Sequence, residues 1–133
     1  MNMRTIGRRV AVTASAAAAA TGIVLGGAGV ASADTSHGEV WSSNCSGNFM
    51  SSYDGGWHVY NSIVNNSRTA NCAGWIDVTW NGNTSSWDGL LGYTGVLPGQ
   101  RNTSFPQPDN SPALARACIQ ASDDAHARCT GWW

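Results

Sequence analysis

The chain has 133 residues, a formal net charge of −1, 11% charged residues and no lysine. Beyond residue 33 four arginines (Arg68, Arg101, Arg116 and Arg128) face eight carboxylates, a net −4. That balance lacks the basic stripe that neutralises phosphates and the cationic face that binds anionic lipid, so neither nucleic-acid binding nor membrane activity is expected.

The first thirty-three residues read as an export signal. Arg4, Arg8 and Arg9 precede an uncharged apolar run over 10–30, and Ala31-Ser32-Ala33 supplies the small-residue cleavage site. Val10-Ala11-Val12 after the Arg8-Arg9 pair favours ordinary secretion over a twin-arginine route. The expected organisation is a signal peptide over 1–33 and a single secreted, extracellular domain over 34–133. One hundred residues are enough for one domain.

Residues 34–38 read as a loose lead-in, and Glu39-Val40-Trp41 as the start of a strand ending near Asn44. Ser, Gly and Asn dominate 46–56, with Asp54-Gly55-Gly56 a turn signal. Residues 57–64 are β-rich in composition, and Asn65-Asn66-Ser67 punctuates them. The clearest strand is 75–80, where Ile76, Val78 and Trp80 alternate with Trp75, Asp77 and Thr79. Asn81-Gly82-Asn83 should turn it into a hairpin whose return begins at Thr84. Residues 90–97 make a further strand, closed by Pro98-Gly99, with 101–105 as its return. Three prolines make 106–112 a loop. Short strands at this spacing predict an all-β fold, an antiparallel sandwich or small barrel.

Residues 112–121 admit two readings. Ser111-Pro112 before Ala113-Leu114-Ala115-Arg116-Ala117 resembles a helix start. On one continuous helix, however, Cys118 and Cys129 would lie about 16 Å apart, and a disulfide needs Cα atoms within about 7 Å. A hairpin turning at residues 122–125 sets them opposite each other and is preferred, with the helix as the alternative.

Four cysteines in a short exported chain read as a disulfide framework. Of three connectivities, Cys45–Cys72 and Cys118–Cys129 are favoured, each closing a local loop worth about 3 kcal/mol if unstrained. No C-x₂-C pair supports zinc, and neither metal nor cofactor is expected. Asp123-Asp124-Ala125-His126 reads as a hairpin tip.

All seven tryptophans lie beyond residue 33. Trp80 shares the phase of Ile76 and Val78, which assigns it to the core. Trp75 has the opposite phase and is expected to face outward, unless all the rings simply fill the core. Catalysis finds little support. Even cysteine pairing leaves no thiol nucleophile, no G-x-S-x-G elbow is present, and Glu39 is the only glutamate. Asp54 and His58 are the nearest approach to a hydrolase pair.

The export signal, lysine-free composition and four-cysteine β pattern resemble small secreted proteins of actinobacteria. Among these, Trp57-His58-Val59-Tyr60 between Cys45 and Cys72, with Val96-Leu97-Pro98-Gly99-Gln100, is similar to segments of the tendamistat-type α-amylase inhibitors. That resemblance implies a two-disulfide β-sandwich presenting an aromatic turn to a protein. No arginine stands between Trp57 and Tyr60, so α-amylase is not carried over as the target. The expected function is a non-enzymatic extracellular binding protein, an inhibitor or protein ligand, using Trp57, Tyr60 and Trp75 as anchors and expected to be a monomer. The alternative is a carbohydrate- or cell-wall-binding module.

Overall fold

The computed structural model describes residues 34–133; the predicted signal segment lies outside them. Nine strands form two antiparallel sheets: β1 (Thr35–Ser42), β2 (Cys45–Tyr53), β3 (Trp57–Asn65), β4 (Cys72–Thr79), β5 (Asp88–Val96), β6 (Arg101–Thr103), β7 (Gln107–Pro108), β8 (Leu114–Ala121) and β9 (Arg128–Cys129). The first sheet runs β1-β2-β3-β6, with β7 also paired to β3, and the second runs β5-β4-β8-β9. The fold is the predicted all-β, sandwich-like class, and no helix occurs among the described residues. None is therefore long and apolar enough to cross a membrane.

Alternation builds the interior. Phe49 on β2, Val59 and Ile63 on β3, Ile76 and Val78 on β4, and Ile119 on β8 are all fully or almost fully buried. They form two clusters. One packs Ile63, Val96 and Ile119 around the Cys45–Cys72 bridge, and the other packs Phe49, Val59, Ile76 and Val78 toward the opposite end. Between them Asn61 is fully buried, its side-chain Nδ2 donating to the Cys118 carbonyl of the other sheet at 2.8 Å. Glycine makes that waist possible. A Cβ at Gly47 would come within 2.8 Å of the Asn61 amide, and one at Gly74 within 2.5 Å of Ile63 Cδ1.

Both favoured disulfides are present, with Cα–Cα separations of 5.7 Å for Cys45–Cys72 and 4.1 Å for Cys118–Cys129. The second joins directly opposed residues of β8 and β9. Residues 114–121 are accordingly a strand, and the helix alternative fails. Ladder bonds to β4 along the whole of β8 outweigh the local helix preference of its alanines.

Several boundaries depart from expectation. The lead-in is already strand, pairing with β2 from Thr35 onward. The Ser/Gly/Asn-rich segment after Cys45 is strand β2, paired on both sides and ending just before the Asp54-Gly55-Gly56 turn, with Gly47 leaving room for Asn61. The β4–β5 return begins at Asp88, not Thr84. Residues 80–87 are spent on successive Asx turns, Asn83 N–H donating to Asn81 Oδ1 and Ser85 N–H to Asn83 Oδ1, each at 3.0 Å. The 101–105 segment pairs with β3 of the first sheet instead of returning along β5. The proline-rich loop carries one two-residue pairing, β7.

Candidate functional site

The aromatic residues occupy two settings. One is the outer face of the second sheet. Trp75 and Asp77 on β4 point outward opposite Cys118 and Arg116 on β8. Asp77 accepts from Trp75 Nε1 at 3.0 Å and from Arg116 at 3.0 and 2.9 Å. The Arg116 guanidinium lies 4.9 Å from the Trp87 ring centre and 4.5 Å from that of Trp132, a cation held between two π faces. Tyr93 stacks on Trp75 at 6.1 Å.

This covering corrects two expectations. Trp75 is not an exposed anchor but is 93% buried, since the Tyr93 ring of β5 stacks on it and its indole N–H is taken by Asp77. Trp80 is not core but half exposed. It stands one residue beyond the end of β4, and its indole N–H donates to Asp88 at 2.7 Å.

The second setting is a cleft of about 480 Å³ at one end of the sandwich, bounded by Thr35, His37, Ser51, Trp57, Asp109, Ser111, Ala113 and Trp133, with mostly apolar walls. Trp57 shares the inward phase of Val59 and Ile63 but opens β3 at the rim, which leaves it half exposed. Its ring meets Tyr53 edge-on at 5.5 Å, and its carbonyl accepts the Asp109 N–H at 2.9 Å. Trp133 is fixed by two backbone hydrogen bonds of 2.9 Å with Ala115 of the second sheet. Its ring stacks on His37 at 3.7 Å and meets Phe49 edge-on at 6.1 Å.

Burial holds the His37 imidazole below its ordinary pKa, with Asp109 opposing the shift. Burial raises the Asp109 carboxyl, with His37 opposing. The Asp109 carboxylate makes no side-chain hydrogen bond among the described residues. His37 Nε2 and Ser51 Oγ share a 2.6 Å hydrogen bond, so a serine, a histidine and an aspartate meet in one cleft. Ser51, however, is 99% buried, and an acyl-transfer nucleophile has to reach a substrate carbonyl beside waiting oxyanion donors. The hydroxyl here anchors the imidazole. Asp54 and His58 stay local to their turn, His58 Nδ1 lying 3.0 Å from the Gly56 carbonyl oxygen.

The three anchors named from sequence therefore do not converge. Trp57 lines the end cleft and Trp75 lies under the second sheet's outer layer. Tyr60, three residues along β3 from Trp57, points to the opposite face of the first sheet. Its hydroxyl donates to Asp34 at 2.7 Å, and burial, reinforced by that carboxylate, pushes its pKa up to about 12. His37, Ser51, Asp109 and Trp133 were missed. They come from four separate stretches, and only the abundance of tryptophan hinted at the last.

A second cleft, about 530 Å³, lies along β4 and β8 and is lined in part by Asn71, Tyr93, Leu97, Gln120, Ser122 and Asp124. The Asp124 carboxyl is held below its usual range by the His126 N–H, the Ser42 hydroxyl and Arg128, which ties the 122–127 turn to β1. Asp77, Cys118 and Cys129 place possible metal-ligating atoms within 4.8 Å of one another, but both sulfurs belong to the disulfide. Against known proteins, the chain matches no family model, no curated protein and no solved structure.

Proposed function

We propose that residues 34–133 are a secreted, non-enzymatic binding protein that takes part of an extracellular partner into the end cleft. The observation that carries this reading is the pair of indoles, Trp57 and Trp133, lining one apolar cleft while remaining about half exposed. Aromatic anchors supply most interface energy. Trp57 is fixed by pairing with β2 and Trp133 by its two backbone hydrogen bonds to Ala115, so little ordering entropy is lost on docking. The signal-like N-terminus and the two disulfides support an oxidising, extracellular setting. The test compares wild type and Trp57→Ala as baits for culture and cell-wall fractions. Retention by wild type, with loss of binding but unchanged thermal stability in the variant, is expected. A variant that retains the partner overturns the reading.

A glycan-binding role has its own supporting observation at the second cleft. One face of Tyr93 rests on Trp75 while the residue stays more than half exposed, beside Asn71, Gln120 and Ser122. A ring with one open face next to amides and a hydroxyl suits a sugar. Titrating chitin, peptidoglycan or starch fragments into wild type and Tyr93→Ala tests it through tryptophan fluorescence. An identical response from both proteins removes the second cleft from consideration.

A further inference from the structure

The end cleft and the outer face of the second sheet share chemical parts, two indoles and a carboxylate. On the outer face, two indoles and a carboxylate surround a guanidinium: Trp87 and Trp132 flank Arg116, whose charge rests on Asp77. In the cleft, two half-exposed indoles and a carboxylate, Trp57, Trp133 and Asp109, line one cavity that has no arginine of the described chain among its walls. The arginines of the described chain lie elsewhere: Arg68 follows β3, Arg101 is on β6, Arg128 contacts Asp124 and Arg116 is the one already enclosed. His37 does not fill the place, because burial favours its neutral form. A net charge of −4 beyond residue 33 adds long-range attraction for a positive partner.

We propose that the end cleft receives an arginine side chain presented by an extracellular partner protein, its guanidinium against the Trp57 and Trp133 rings and its charge on Asp109. The inference rests on the cleft being the binding site and adds the chemistry of what enters it. Arginine suits the place better than a neutral residue because π faces and a half-desolvated carboxylate both gain from a delocalised cation. Its flat, weakly hydrated head also tolerates apolar walls better than a compact ammonium.

The test titrates short blocked peptides, Gly-Arg-Gly, Gly-citrulline-Gly, Gly-Lys-Gly and Gly-Phe-Gly, into residues 34–133 with both disulfides intact, following tryptophan fluorescence and calorimetric heat. Citrulline keeps the shape of arginine and removes its charge. The arginine peptide should bind at least about tenfold more tightly than the citrulline peptide, as expected for loss of a partly desolvated charge pair. Asp109→Asn should erase that difference, chiefly by weakening the arginine peptide, and Trp57→Ala should weaken every peptide. Equal binding of arginine and citrulline, or preference for lysine or phenylalanine, overturns the arginine assignment and leaves the cleft as the binding site. Binding of every peptide unmoved by Trp57→Ala, or no response to any of them together with unaltered partner capture by Trp57→Ala, overturns both. Agmatine binding as tightly as the arginine peptide keeps the guanidinium chemistry and refutes a protein source.

Discussion

On the outer face of the second sheet Arg116 sits between Trp87 and Trp132 with its charge on Asp77, whereas the end cleft is lined by two half-exposed indoles, Trp57 and Trp133, together with Asp109 and with His37, whose ring packs against Trp133. In the first group the Asp77 carboxylate is met within the chain by Trp75 and Arg116, beside the Cys118–Cys129 bridge, whose Cys118 sulfur lies 3.3 Å from Asp77 Oδ2. The second leaves a carboxylate without a side-chain hydrogen bond and two rings half open. Tryptophan therefore occurs in two settings, one packed over the second sheet and one half open at the end cleft.

The sharpest way to break that contrast is to truncate one ring from each group. Trp75→Ala should cost about 3–5 kcal/mol in urea unfolding followed by circular dichroism, the range for deleting a buried aromatic. Trp57→Ala should cost under about 1 kcal/mol, as for exposed positions. Equal costs would place both rings in the scaffold. The carboxylates give a smaller version of the same experiment. Asp77→Asn should destabilise by about 2–3 kcal/mol, toward the low end for breaking a buried pair because Arg116 is partly exposed. Asp109→Asn should leave the urea midpoint unchanged or raise it slightly, since burial already disfavours that charge.

Acid sharpens the comparison further. With His37 below its ordinary value of 6.5, the unfolded chain binds a proton before the folded one as pH falls. Its contribution to stability is therefore complete above the ordinary value and declines as pH drops below about 6.5 toward the folded pKa. His37→Asn should flatten that slope in urea midpoints measured above the carboxylate range. The smallest effect belongs to Tyr60, which the contrast assigns to neither group. One phenol should titrate only near 12 in ultraviolet absorbance, and Tyr60→Phe should remove that late step. Because the unfolded phenol releases its proton first, wild-type stability should fall as pH rises above about 10.

The strand alternation of residues 75–80 was legible, and so was the opposition of Cys118 and Cys129, because both depend on near neighbours. Period two identifies the two faces of β4 but not whether each is covered. Tyr93 stacks on Trp75 from 18 residues further along the chain, and Asp77, which accepts the Trp75 indole N–H, is held by Arg116 from 39 residues beyond itself. Trp80 was misplaced for a different reason: the strand stops at Thr79, and a phase argument has no meaning one residue past its end. The strand over the Ser/Gly/Asn-rich stretch was not legible, because what it answers, pairing on both sides and room at Gly47 for Asn61, belongs to other strands. The cleft was invisible for the same cause, its walls being drawn from β1, β2, β3, the loop after β7 and the chain beyond β9.

Trp57 stands on the first sheet, whereas Trp133 is tied through Ala115 to the second. The gap between the two indoles is thus a property of how the layers are aligned, not of any single loop. The Asn61–Cys118 link is a transverse pin at the centre of that alignment. Sliding one layer past the other would orphan a buried amide, so this one bond holds the alignment on which the width of the cleft's mouth depends.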